Sequence, residues 1–206
     1  MNIDIVRLDA VLFSHFWLDI KSVKELLEQM TLKGSSISQD IDINPLLDLQ
    51  YAYGPSPMRA TFFPITENTT IMFPNVQDGW FTLFSSITKR RNAKSCYMKI
   101  MDLNKIVDAS NYFIYCENSQ ERIVYTLKED RWVFWEQGTP LAFENTAYYT
   151  AKQRKNRLSK EIMLEYCENL EISKSGIITL NTDEAFSYEL GGSGNFTLGS
   201  TSFIRK

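Results

Sequence analysis

The chain has 206 residues, 44% of them hydrophobic and 13% aromatic, which is the composition of a folded globular protein and excludes a disordered one. Its net charge is −3, and no apolar run approaches the roughly 18 residues that a membrane-spanning helix needs. Because Asp4 and Asp9 precede the first apolar run, where a signal peptide would be basic, we expect a cytoplasmic protein.

Charge is distributed unevenly along the chain. Residues 1–80 carry 5 basic and 10 acidic side chains, residues 81–160 carry 14 and 8, and residues 161–206 carry 3 and 7. The fold either keeps these charges as separate surface fields, which would steer a partner, or interleaves them so that they cancel. The sequence leaves both arrangements open.

The first quarter of the chain predicts strands followed by a helix. The apolar run in residues 3–18 has the composition of one strand or two. Ser22 and Glu25 match a capping box, which predicts that a helix begins there, and Gly34 is a natural helix stop. Residues 34–59 predict an irregular loop, since turn-forming residues interrupt any period.

Residues 60–116 predict mainly strands. Pro64 and Pro74 would end the first two of them, where a missing ladder donor does least harm. An exposed basic turn is expected at 87–94 and a short helix at 104–109. The segments with strand composition are 61–63, 70–73, 80–84, 96–101 and 112–116.

Residues 121–137 predict a β-hairpin. Ile123, Tyr125 and Leu127 alternate with the residues between them, which is the period of a half-buried strand. The turn falls at 128–130, and a return strand rich in aromatic residues follows. The longer stretch 121–172, which begins with this hairpin, contains two of the four tryptophans, so we expect a large share of the core to gather there.

The last third of the chain predicts two helices and two strands. Asn145 or Thr146 would cap a helix that runs to Arg157, and Ser159 would cap the next. Its apolar stripe consists of Met163, Tyr166, Cys167 and Leu170. Strands are expected at 177–180 and, after the glycines of 191–194, at 195–205. Together these elements predict a single α+β domain over residues 1–206, a mainly antiparallel β-sheet packed by two to four helices.

The sequence offers no catalytic constellation. His15 is the only histidine and lies in an apolar run without a catalytic partner nearby, so we interpret it as a core or strand residue. Cys96, Cys116 and Cys167 are odd in number and widely spaced, which predicts buried, reduced thiols. Phosphate-loop, dinucleotide-binding and hydrolase motifs do not occur. We therefore predict a protein that is not an enzyme and has neither a metal site nor a cofactor.

Two sets of charged residues are candidate binding sites. Basic clusters at 89–94 and 152–157 would neutralise phosphates of a nucleic acid, or are simply solvated. An acidic set on the helix after Ser159 is either a solvated face or a surface complementary to a basic protein. The nucleic-acid candidates are Arg90, Arg91, Arg154 and Arg157, and the protein-binding candidates are Glu161, Glu165 and Glu168.

One segment of the chain, roughly residues 131–170, resembles bacterial immunity proteins of contact-dependent inhibition and related polymorphic-toxin systems. The residues that carry the resemblance are Arg131-Trp132-x-Phe134, Gly138-x-Pro140, Phe143-Glu144, Tyr148-Tyr149, Arg154-x-x-Arg157-Leu158 and Leu164-x-x-Cys167. Such proteins share no single fold. The resemblance implies a cytoplasmic, non-enzymatic protein that binds one toxin domain, for example a nuclease, and blocks its active site. A nucleic-acid-binding protein is the alternative.

Overall fold

The computed structural model describes residues 1–30, 34–41, 58–76, 80–106 and 109–190. Several predictions therefore lie outside the described residues. These are most of the irregular loop, two residues of the short helix expected at 104–109, the glycine-rich segment 191–194 and the strand expected at 195–205.

An antiparallel sheet of nine strands, in the order β3-β11-β4-β5-β2-β6-β7-β8-β9, forms the centre of the described structure. β1 and β10 pair separately as a two-stranded antiparallel ribbon. The strands are β1 (Asn2–Asp4), β2 (Ala10–Phe16), β3 (Ser35–Ser38), β4 (Met58–Thr66), β5 (Thr69–Pro74), β6 (Ser95–Met101), β7 (Ser110–Glu117), β8 (Gln120–Lys128), β9 (Trp132–Gln137), β10 (Ile177–Thr179) and β11 (Phe186–Leu190).

Helices cover both faces of this sheet. On one face α1 (Ile20–Met30) packs on β4 and β5, and α2 (Phe81–Arg91) packs on β6. On the other face α3 (Lys160–Asn169) packs on β6 and β7, and the 3₁₀ helix at Arg154–Asn156 packs on β8 and β9. We call these the α1/α2 face and the α3 face. The mainly antiparallel α+β architecture confirms the predicted fold class.

Each face has its own core. Leu12, Phe16, Phe62, Met72 and Tyr97 point from the sheet into the core beneath α1 and α2. Val11, Phe13, Phe63, Met98 and Phe113 point into the core beneath α3. This alternation follows from the two-residue period of a strand. The predicted stripe of α3, from Met163 to Leu170, is buried in the second of these cores.

The strand predicted at 80–84 and the basic turn predicted at 87–94 are wrong, because this segment forms α2. Leu83, Phe84 and Ile87 are buried at helical spacing, so packing on β6 overrides the strand preference of the aromatic residues. The helix ends at Asn92, which has a left-handed φ of 46° and donates its backbone N–H to the carbonyl groups of Thr88 and Lys89.

Other local predictions need smaller corrections. The carboxylate of Asp19, not the hydroxyl of Ser22, caps α1, accepting from the Ser22 amide at 2.9 Å and from the Ser22 hydroxyl at 2.7 Å. Pro64 lies inside β4, where the pairing register shifts, rather than at its end. The helix expected up to Arg157 is instead two short 3₁₀ helices, Thr146–Thr150 and Arg154–Asn156, and the first begins after Asn145.

His15 and the three cysteines are core residues, as the sequence predicts. His15 is 2% exposed, and burial lowers its pKa from 6.5 to about 3. Its Nδ1 has no hydrogen-bond partner among the described residues. Cys96, Cys116 and Cys167 are free and buried. Burial raises the pKa of the Cys116 thiol to about 11, which keeps it protonated at neutral pH.

We expect His15 to make the protein less stable as the pH falls. The folded protein keeps the ring neutral down to pH about 3, whereas the unfolded chain takes up a proton near pH 6.5, so protons favour the unfolded state in this window. The loss approaches about 1.4 kcal/mol per pH unit. His15→Leu removes this term. Urea unfolding of both proteins between pH 7 and pH 4 should show a smaller fall in stability for the variant, and parallel curves would contradict the assignment.

Candidate functional site

In the hairpin formed by β8 and β9, the more apolar side of β8 is the less buried of its two sides. Ile123, Tyr125 and Leu127 point to the α1/α2 face, where they are only half-buried, whereas Arg122 and Thr126 point to the α3 face and are buried. The core that the sequence predicts in residues 121–172 lies mainly beyond the hairpin, where Leu158, Met163 and Tyr166 are buried in the core beneath α3. The apolar side of the hairpin itself stays half-buried because α1 and α2 lie over β4 to β6, and no described helix packs mainly on β8 or β9 from that side.

Aromatic side chains line up across the strands of this area, over which no described helix packs. Tyr112, Tyr125 and Trp135 face one another in the paired registers of β7, β8 and β9. The Tyr112 and Tyr125 rings stack with their centroids 5.2 Å apart, and Trp135 is 51% exposed. We define the aromatic face as the six residues Tyr112, Ile123, Tyr125, Leu127, Val133 and Trp135.

A cleft lies near the aromatic face on the side of α2, since its lining residue Glu121 precedes Ile123 by two residues on the same side of β8. Its volume is about 280 Å³, and it lies between α2 and the turn that joins β7 to β8. Phe81, Phe84 and Lys89 contribute from the helix, and Cys116 and Glu121 contribute from the strands. Lys99 stands on the same face, with Nζ 6.0 Å from the centroid of the Tyr112 ring. The cleft therefore combines an apolar wall with charges of both signs at its rim.

A buried ion pair supports the hairpin from the opposite face. The Arg122 and Glu144 side chains are 2% and 0% exposed, and Nη2 of Arg122 lies 2.7 Å from Oε2 of Glu144. The same Nη2 lies 2.7 Å from Oε2 of Glu136, whose side chain is 42% exposed. The carboxylates, together with their hydrogen bonds, raise the pKa of Arg122 in spite of its burial, so the guanidinium is held in its charged form.

Glu144 links this pair to α3. The Tyr149 hydroxyl donates to Oε2 of Glu144 at 2.5 Å, and the Tyr149 and Tyr166 hydroxyls are 2.7 Å apart. The Leu141 amide donates to Oε1 of Glu144 at 2.9 Å. Burial raises the pKa of Tyr166 to about 12, so this hydroxyl stays protonated and available as a donor.

Arg122 also fixes the end of β9. Its Nη1 donates to the carbonyl groups of Gln137 at 3.2 Å and Gly138 at 3.0 Å. Gly138 has a φ of +87°, and a Cβ atom there would approach the Glu121 carbonyl oxygen to 2.2 Å, so only glycine fits. Sequence reasoning missed Arg122. The signal available in the sequence was the position of this charged residue. Arg122 lies on the same side of β8 as Val124 and Thr126, and that side is buried in the structure.

No family model, curated protein or solved structure matches the chain. Its function is therefore inferred from its own sequence and geometry. Within the described residues, no helix is long and apolar enough to cross a membrane. The same residues contain no group of three or more His, Cys, Asp or Glu side chains that could hold a metal ion.

The predicted acidic residues lie on α3, across the sheet from the aromatic face. Glu161 and Glu168 are exposed, and Glu165 is half-buried. The helix is oriented by its buried stripe, which leaves these side chains on its outer side. The acidic set and the aromatic face are thus two separate surfaces.

The predicted basic residues also fall on both sides of the sheet. Arg90 and Arg91 are exposed at the end of α2, whereas Arg154 and Arg157 lie on the α3 face. Arg154 donates to the Trp132 carbonyl at 3.3 Å, and Arg157 donates to the Ala151 carbonyl at 2.9 Å. The sheet therefore separates the two pairs, and the second pair holds its own segment of chain in place.

Arg122 contacts two carboxylates of different exposure, so replacing each carboxylate separately tests the buried ion pair against a matched control. Glu144→Gln leaves Arg122 buried without its main counter-charge and should cost about 3–5 kcal/mol of unfolding free energy. Glu136→Gln removes a partly exposed partner and should cost about 1 kcal/mol or less. Chemical denaturation of the two variants measures both losses.

Comparing these two losses of unfolding free energy shows whether the buried charge of Arg122 depends on Glu144. Equal small losses would mean that the Arg122 charge is satisfied without Glu144, and would contradict its role as the anchor of the hairpin. Circular dichroism of each variant checks that the fold is retained before the two losses are compared.

Proposed function

We propose that this chain is a cytoplasmic immunity-type protein that binds a cognate bacterial toxin domain and blocks its active site, without catalytic activity of its own. The resemblance over residues 131–170 supports this class of protein. The structural observation that carries the proposal is the aromatic face, the apolar side of a hairpin that no described helix covers.

The aromatic face has the chemistry of a protein-binding surface. Tyrosine and tryptophan offer large contact areas and lose little rotamer entropy, and they are enriched among the residues that dominate interface energies. The rings of Tyr112 and Tyr125 are already ordered by stacking, so binding a partner costs little side-chain conformational entropy there. A single exposed apolar residue such as Trp135 needs no explanation, but here half-buried apolar residues continue it without a break across three strands.

The adjoining cleft completes the proposed contact. At about 280 Å³ it accepts a side chain of the toxin domain beside the aromatic face. Lys89 and Glu121 at its rim would select the partner by charge more than they would add affinity. Glu161, Glu165 and Glu168 remain the competing contact, suited to the basic substrate cleft of a nuclease.

The two surfaces can be tested side by side, because they lie on opposite faces of the sheet. The probe is the purified C-terminal domain of a large exported protein encoded immediately upstream. Tyr125→Ala with Leu127→Ala should weaken its binding about 30-fold or more, since residues of this kind contribute about 2 kcal/mol or more at an interface. Protection of cells that produce the toxin domain should be lost in parallel.

The control is Glu161→Lys with Glu165→Lys and Glu168→Lys. It should leave folding largely intact, keep most of the affinity and alter mainly the association rate and its salt dependence. Loss of protection in this variant alone would move the contact to α3. An isolated gene with no toxin domain beside it would contradict the proposal as a whole.

The nucleic-acid alternative makes a different prediction. Tight, salt-sensitive binding to RNA or DNA that disappears when Arg90, Arg91, Arg154 and Arg157 are neutralised would favour it. Because the two arginine pairs lie on opposite faces, each pair should then be removable with little effect on the binding that the other provides.

A further inference from the structure

The outer edge of β9 presents backbone groups that pair with no described strand. The Lys128 amide donates to the Ala109 carbonyl at 3.0 Å, so Lys128 directs its backbone groups to β7 and away from β9. Successive residues of a strand direct their backbone N–H and C=O groups to opposite edges. Lys128 is paired with Trp132, so Trp132 likewise directs its groups away from the strand that it faces. Trp132, Phe134 and Glu136 therefore direct their amide and carbonyl groups to the outer edge.

Little in the described structure occupies this edge. Arg154 donates to the Trp132 carbonyl at 3.3 Å, and the amide groups of Phe134 and Glu136 have no backbone partner among the described residues. The sequence of β9, WVFWEQ, contains neither the lysine nor the proline with which exposed edge strands usually prevent pairing. An unprotected edge of this kind is a template for another strand.

We propose that β9 pairs with β9 of a second copy of this chain, antiparallel and about a two-fold axis, to form a homodimer with one continuous sheet. Phe134 faces Phe134 of the other copy, and Trp132 faces Glu136. This is the register that uses all three outward-directed residues of each copy. The inference does not depend on the proposed function.

The side chains are self-complementary in this register. On the α1/α2 face, the exposed indole of Trp135 meets Val133 of the other copy in a closely spaced, non-hydrogen-bonded pair. On the α3 face, Arg154 lies at the Trp132 carbonyl, which places it beside Glu136 of the other copy. Glu136, the single charged residue of β9, faces Trp132 of the other copy, so two Glu136 carboxylates are not opposed. Charge complementarity therefore selects a second copy as the occupant.

The backbone donor can be removed while the ladder to β8 is kept. Glu136→Pro deletes an outward-directed amide, a position where an edge strand tolerates proline. Glu136→Ala is the matched control, which loses the same side chain and keeps the donor. Sedimentation equilibrium of the full chain should show a dimer for the natural sequence. Glu136→Pro should weaken dimerisation about 30-fold more than Glu136→Ala, because two hydrogen bonds are lost per dimer.

Cysteine cross-linking tests the register independently. The three natural thiols are buried and do not compete. A mixture of Val133→Cys and Trp135→Cys proteins should form the disulfide-linked dimer on mild oxidation, and neither variant alone should do so efficiently, because its introduced thiols lie on diagonal positions. A monomer at millimolar concentration, or equal dimerisation of the proline and alanine variants, would overturn the proposal. Equal cross-linking by each variant alone would overturn the register.

Discussion

The ion pair between Arg122 and Glu144 is the interaction on which the arrangement of this protein depends most. A guanidinium that is 2% exposed must keep its charge and satisfy its donors inside the protein. Glu144 meets that need together with Glu136 and two carbonyl groups at the end of β9. One cation thereby holds the hairpin, the turn that leaves it and, through two tyrosine hydroxyls, α3.

The same pair explains which side of the hairpin faces outward. A strand has two sides, and a shift of one residue would exchange them. That shift would expose Val124 and bring Ile123 and Tyr125 into the core, but it would also separate Arg122 from Glu144. The energetic cost of a buried, unpaired carboxylate exceeds the gain from covering two half-buried side chains. The apolar side is therefore held at the surface, where the proposed partner would contact it.

The aromatic face and the outer edge of β9 can both be occupied at the same time. A two-fold axis between paired β9 strands stands perpendicular to the sheet, so the aromatic faces of both copies lie on the same side. Dimerisation would then join them into one longer aromatic surface, with a cleft at each end. A toxin domain bound at one cleft would leave the other available.

What the sequence predicts here is local, and what it misses is long-range. The alternation in β8, the strand composition of β7 and the stripe of α3 depend on neighbouring residues, and the structure confirms all three elements. β3 and β11 are short and polar or mixed, and they form because β11 pairs with both β3 and β4, more than a hundred residues away in the chain. The strand composition of 80–84 gave no sign of α2, because its helical form depends on packing against β6. Arg122 was missed because Glu144 reaches it only through the turn at Gly138.

The direct test of the aromatic face is side-chain footprinting by hydroxyl radicals, with and without the toxin domain, at protein concentrations below self-association. The free protein should be oxidised at Tyr125, Leu127 and Trp135, and the toxin domain should protect these side chains while Leu164 on α3 is unchanged. Protection confined to α3, or aromatic-face residues that resist oxidation in the free monomer, would contradict the account.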